Sequence, residues 1–208
     1  MIACIVHNSF GGHTMAKLFF YYSTMAAGKS LEIIKVAYNY EIQGKKVITF
    51  TSHLDDRHER GRIWSRAGFE MDAHVFDDDT NIKELVLSFE ERPASVLIDE
   101  AQFLNKAQVL QLTDLVDDHE ITVMCYGLKN DSFNNLFEGS KYLLLYADNI
   151  KELKTECWFC HKKATMNLRF DEQGYPVYEG KQIEIGGNDK YLPVCRKCYK
   201  TVERVELR

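Results

Sequence analysis

Eight residues, Ser23-Thr24-Met25-Ala26-Ala27-Gly28-Lys29-Ser30, follow an apolar run from Leu18 to Tyr22 and open an amphipathic segment. A loop between strand and helix can turn successive backbone N–H groups onto phosphate oxygens. The helix N-terminus adds partial positive charge, and a lysine and a hydroxyl complete the grip. In that role Lys29 reaches the β- and γ-phosphates and Ser30 holds Mg²⁺. The motif has Gly at its first position, where this chain has Ser23, so on motif letters alone a chance G-K-S helix start remains the rival reading.

A second set of reactive groups is the acid pair Asp99-Glu100, which ends the apolar run Ser95 to Ile98. A parallel sheet places its ligand groups at the carboxyl ends of its strands, so Asp99 is positioned to serve Mg²⁺ and Glu100 to accept a proton from an attacking oxygen. If that oxygen is water, the chain is an ATPase. If it belongs to a substrate hydroxyl, the chain is a kinase whose pocket must exclude water. Acids in this position can also simply favour the N-terminus of the next helix.

Four of the six cysteines form two C-x-x-C pairs, Cys157/Cys160 and Cys195/Cys198. Two such pairs suit a tetrahedral, closed and therefore structural Zn²⁺ site, with redox pairs as the alternative. Lys162, Lys163, Arg196 and Lys197 beside them offset the negative charge of a tetrathiolate centre without requiring a polyanion. Cys4 and Cys125 are left over, Cys125 inside an apolar strand as a packing residue.

These groups need a scaffold, and 208 residues with 45% hydrophobic content suffice for one substantial domain with a small appendage. A net charge of -5 gives no general attraction to nucleic acid or anionic lipid, and no apolar run approaches the roughly 18 residues of a membrane span. The cysteine usage and the absence of a signal-like segment point to a reducing cytoplasm. Residues 1–14 show no periodicity and read as a disordered extension. Leu31, Ile34, Tyr38 and Ile42 recur at helical spacing, predicting a helix from Lys29 to about Gln43 packed on a sheet, with Gly44 as its stop. Lys46 to Ser52 reads as a strand, and His53 to Asp72 as a long mobile loop, either a solvated surface segment or a substrate-facing lid. Helices are expected over Asn81 to Glu90 and Lys106 to Asp117, and a strand over Ile121 to Tyr126. Phe137 to Ala147 is helix, or short strand by pattern alone. Alternating strands and helices mean a doubly wound parallel sheet, followed from Glu152 by a small metal-stapled lobe with strands around Gly174 and Gly186-Gly187.

Taken jointly, Tyr22 to Ser30, Asp99-Glu100-Ala101-Gln102-Phe103, Tyr126-Gly127-Leu128, the four cysteines and Ile183 to Tyr191 resemble the cytosolic-type (type II) thymidine kinases, over essentially Met15 to Thr201. The resemblance implies an α/β, P-loop (RecA-like) doubly wound parallel sheet with a small C-terminal zinc-binding β lobe. The chain divides accordingly into an extension over 1–14, a nucleotide-binding domain over 15–151, and a zinc lobe with a substrate-covering loop over 152–208. It implies transfer of the ATP γ-phosphoryl group to the 5′-hydroxyl of thymidine or deoxyuridine, with Glu100 as general base. Ser23, Thr24, Met25, Ala26, Ala27, Gly28, Lys29, Ser30, Asp55, Asp56, Arg57, Asp99 and Gln102 would serve ATP and Mg²⁺. The base would sit under backbone groups of Gln182, Ile183, Glu184, Ile185 and Gly186, with Met25, Phe103, Leu128 and Tyr191 around it. The aromatic that flanks the base in the family falls at Ser132, and a one-residue shift hands that role to Phe133. A homotetramer and feedback inhibition by thymidine triphosphate are also implied. Two readings of other classes stand beside this one: a zinc-ribbon ATPase acting on nucleic acid, and a nucleotide-binding regulatory module without turnover. The acidic balance opposes the first and Glu100 the second.

Overall fold

The computed structural model describes residues 16–55, 59–182 and 191–206. The extension expected over 1–14 lies outside them. In chain order the elements are β1 (Leu18–Ser23), α1 (Lys29–Glu41), β2 (Val47–Ser52), β3 (Arg62–Trp64), β4 (Glu70–Asp72) and β5 (His74–Phe76). Next come α2 (Ile82–Leu87), β6 (Ser95–Ile98), a 3₁₀ turn (Ala101–Phe103), α3 (Lys106–Asp117), β7 (Thr122–Leu128), α4 (Glu138–Tyr146) and β8 (Asn149–Glu152). The chain ends with β9 (Met166–Phe170), β10 (Pro176–Val177), β11 (Tyr191–Val194) and α5 (Arg196–Thr201).

Six strands form one sheet in the order β5-β2-β6-β7-β1-β8, every pair parallel. Parallel strands need crossovers and covered faces, which is why these strands are apolar on both sides. Side chains alternate accordingly. Phe20, Cys125, Ile98 and Phe50 stand in one register row across β1, β7, β6 and β2, all fully buried against α2, α3 and α4. Leu97 and Tyr126 point the other way, onto Ile33 and Ala37 of α1 and Ile63 of β3. A second sheet, β10-β9-β11, is antiparallel and has its own small core of Leu168, Phe170, Leu192, Val194 and Tyr199 beside the cysteines.

Two expectations are corrected. The span from His53 to Asp72 is not simply a loop: β3 and β4 pair as a hairpin within it, and Ile63 is 1% exposed under α1. The helix α1 exists as predicted and Ile34 of the expected stripe packs partly against the core, but the fully buried apolar residues are Ile33 and Ala37, whereas Leu31 and Tyr38 of α1 and Ile42 just beyond it are 39%, 61% and 63% exposed.

Local signals start the other helices. Asn81 accepts the Glu84 N–H at 3.1 Å ahead of α2, and Asn105 with Gln108 forms a reciprocal capping box on α3. Helix α4 begins against the 3₁₀ turn so closely that a Cβ on Gly139 would lie 2.4 Å from the Ala101 carbonyl oxygen and 2.8 Å from that of Leu104. Because both atoms are backbone, Gly139→Ala is expected to destabilise the protein by about 1–3 kcal/mol as overpacking does, read as a lower Tm. An unchanged melting curve would mean that α4 can slide outward freely.

Candidate active site

The strand register brings Ser23 at the end of β1, Leu128 at the end of β7 and Asp99 just beyond β6 to one carboxyl edge of the sheet. From Ser23 the chain turns through Ala26 and Gly28, both at positive φ (58° and 79°), and enters α1 at Gly28, which has no side chain to cap it. Lys29 is 9% exposed and folds back over the loop, its Nζ donating to Ser23 Oγ at 3.1 Å and to the Thr24 carbonyl at 3.2 Å. Among the described residues the buried Thr24 hydroxyl has no hydrogen-bond partner. Uncapped N–H groups, a curled-in lysine and an unsatisfied hydroxyl together fit an anion that supplies the missing acceptors.

Ser30 Oγ donates to Asp99 Oδ2 at 2.9 Å, so a hydroxyl and a carboxylate oxygen stand side by side, a donor set suited to a hard divalent cation. Burial, and next the charge of Glu100, push the Asp99 carboxyl from its ordinary 3.8 up to about 7. Since the folded value lies above the unfolded one, the folded state holds this proton more tightly. Its stabilisation is complete below about pH 4 and is lost as pH rises through about 7. The nucleotide- and magnesium-free Asp99→Asn protein should therefore melt above the unsubstituted protein at pH 8. The difference should close toward pH 4, and thermal scans of both across that range check it.

Glu100 follows in a left-handed conformation, φ 53°, while only 8% exposed. A non-glycine residue held there stores about 1–3 kcal/mol of strain, which persists only when the surroundings over-determine it. Those surroundings are visible. Gln102 Nε2 donates to Glu100 Oε2, and Gln102 Oε1 accepts the Leu128 N–H at 2.9 Å. Gly127 leaves room for this amide, since a Cβ there would be 2.8 Å from Gln102 Oε1. Asp55 lies just past β2 at the same edge, its N–H on the Ser52 carbonyl at 3.1 Å.

The four cysteine sulfurs lie within 4.8 Å of one another, a cluster that could hold a metal ion. Cys160 Sγ is 3.7 Å from both Cys195 Sγ and Cys198 Sγ, too far for a disulfide. Four sulfurs about 2.3 Å from a central ion would be about 3.8 Å apart, so the spacing fits a tetrahedral site. The Cys198 N–H at Cys195 Sγ, 3.5 Å away, draws that thiol down to about 6, whereas burial and then the neighbouring sulfurs push Cys198 up to about 12.

A residue that no motif marks joins this lobe to the phosphate loop: Asn167 of β9, 3% exposed, accepts the Met25 N–H on Oδ1 at 2.8 Å. A second tie runs from the Tyr199 hydroxyl to the Ser132 carbonyl at 2.7 Å. Ser132 is thus turned inward, and the buried Asp131 shapes the rest of the loop by accepting the N–H groups of Phe133 and Asn135, each at 2.8 Å. Phe133 is half-buried beside Gly180, where the segment that continues to Gln182 begins.

Among the other expected site residues, Met25 and Leu128 are half-buried at the loop and at the end of β7, and Tyr191 is 9% exposed in β11. Phe103 packs edge-to-face on Phe137 with centroids 5.8 Å apart, and Gln182 is exposed. Asp56, Arg57, Ile183, Glu184, Ile185 and Gly186 lie outside the described residues.

A family model described as thymidine kinase matches residues 16–199. The thymidine kinase of Shouchella clausii is 61% identical over 186 residues, covering 89% of this chain and 97% of that protein. That of Lactiplantibacillus plantarum is 60% identical over 185 residues, with 89% and 96% covered. That of Listeria innocua is 59% identical over 185 residues, with 89% and 97% covered.

Proposed function

The chain belongs to the thymidine kinase family, and from that premise we propose that it transfers the γ-phosphoryl group of ATP to the 5′-hydroxyl of thymidine, giving dTMP and ADP in pyrimidine deoxynucleoside salvage. Deoxyuridine, which keeps the same 5′-hydroxyl, is the expected second acceptor. The observation that carries the reading is the Ser30–Asp99 contact with the strained, buried Glu100 next to it, opposite the lysine of the phosphate loop.

In this reading the backbone from Ser23 to Gly28 receives the phosphates, and Lys29 leaves its contacts with Ser23 and Thr24 for phosphate oxygens. Ser30 and Asp99 would hold Mg²⁺, which when bound would offset the negative charge of the phosphates. Asp55, Asp56 and Arg57 border the nucleotide, Arg57 matching phosphate charge, and Gln102 keeps Glu100 in place. Glu100 takes the proton of the 5′-hydroxyl as that oxygen bonds to the γ-phosphorus, and the bond from phosphorus to the β–γ bridging oxygen breaks to release ADP. Met25, Phe103, Leu128, Tyr191 and Phe133 supply apolar contact to the base, whose polar edge is read by backbone groups of Gln182 to Gly186.

We assign the four-cysteine cluster to structural Zn²⁺, because four thiolates close the coordination sphere. The nucleotide-binding part is then 15–151 and the zinc lobe 152–208. The outward apolar residues Leu31 and Tyr38 of α1 and Ile42 just beyond it support self-association, in line with a homotetramer. Among the described residues no helix is long and apolar enough to cross a membrane. We place the enzyme in the cytoplasm, with thymidine triphosphate as its feedback inhibitor. ADP release from ATP and Mg²⁺ with and without thymidine tests the function. Thymidine-dependent release is expected, and release that ignores thymidine but rises with DNA would overturn it.

A further inference from the structure

A concave pocket of about 810 Å³ opens between the loop after β7, the cysteine knuckles and α5. Its volume is that of a small-molecule site. Lys129, Lys162, Lys163, Arg196, Lys197 and Lys200 line it, with no aspartate or glutamate among the described lining residues, in a chain whose net charge is -5. None of the residues from Ser23 to Ser30 lines it, nor do Asp99 and Glu100.

Two local causes for this charge are insufficient. Lys163 has a carboxylate partner, Glu152 at 2.6 Å, but among the described residues the other five cations make no ion pair. A divalent ion in four thiolates carries two net negative charges, which leaves an excess of positive charge on one concave wall. Like charges crowded in a cleft repel each other and raise the local concentration of anions. We infer that this pocket binds an oligophosphate anion, at a site separate from the phosphate loop. The lining chemistry selects that class. Five of the six cations are lysines, mobile point charges suited to flexible phosphate chains, and among the described residues no aromatic lines the pocket to stack a base. The site also adjoins the catalytic parts: Lys129 follows Leu128, which binds Gln102, and the lining residue Met166 precedes Asn167, which holds the Met25 N–H.

Titration calorimetry with sodium tripolyphosphate, at low salt and without magnesium, tests the site in a Lys29→Ala background that removes phosphate-loop binding. About one equivalent per chain should still bind, and adding Lys200→Glu, an exposed position, should weaken it at least about threefold. With Lys29 intact, the same substitution should leave thymidine phosphorylation and bound metal unchanged. A Lys29→Ala protein that binds no tripolyphosphate, or charge-reversed protein that binds it undiminished, overturns the inference. So does tight binding of a thymidylate oligomer where tripolyphosphate fails, which would make this face a nucleic-acid surface.

Discussion

Glu100→Gln is expected to lower kcat by roughly 10²- to 10⁴-fold while ATP binding is kept. The substitution preserves shape and changes one capacity. A glutamine can still present an oxygen to the Gln102 amide that now donates to Glu100 Oε2, so the left-handed turn, the tie to the Leu128 N–H and the fold have no reason to give way. In the proposed mechanism, what is lost is proton acceptance from the 5′-hydroxyl at the moment its oxygen attacks. Phosphate-loop contacts, made by Lys29 and the backbone before α1, are untouched. The expected pattern is thus a drop in kcat with an unchanged dissociation constant for ATP, measured by pre-steady-state turnover and equilibrium binding. Turnover close to that of the unsubstituted enzyme would remove Glu100 from the mechanism and leave its strained backbone without a functional account.

The parts of this site that could be read in the sequence are those in which several residues serve one local purpose. The phosphate loop, the acid pair after an apolar strand and the paired cysteines each state their chemistry within ten residues, and the structure brings Ser30 to Asp99 and the four sulfurs together. Helix α3 was legible because its caps and periodicity agree. The strands β3, β4 and β5, of three residues each, were not, since so few residues show no alternation to detect, and their place comes from pairing with distant segments. The outward stripe of α1 misled for a related reason: helical spacing reveals that a face is apolar but not what covers it. Asn167 was invisible altogether, one amide in a short strand whose importance is set by a hydrogen bond across 142 residues. The inward turn of Ser132, fixed by Tyr199, is a contact of the same long-range kind, and it explains why the neighbouring Phe133 is the aromatic of that loop beside Gly180.

Through that long-range amide, a metal held by the four cysteines, as proposed, would bear on catalysis. Cys198→Ser is expected to yield protein without tightly held zinc, a separate low-temperature unfolding step, and kinase activity at least about tenfold reduced. Among the described residues the lobe's buried core is small: beyond Cys157 and Cys195 it consists of Leu168, Phe170, Leu192, Val194 and Tyr199. A unit of this size rarely holds itself together by apolar burial alone and relies on a metal or disulfide staple. With three thiolates left, the staple is lost, and β9 is no longer fixed. The Met25 N–H then loses the Asn167 oxygen at 2.8 Å, and the loop that must receive phosphate gains freedom it has to surrender on binding ATP. Asn167→Ala separates the two effects. It should keep the zinc and the melting profile yet raise the KM for ATP, because only the tie to the loop is cut. Elemental analysis, differential scanning calorimetry and steady-state kinetics on both variants decide the matter. A zinc-free Cys198→Ser protein with ordinary melting and turnover would show that the cluster supports neither the lobe nor the phosphate loop.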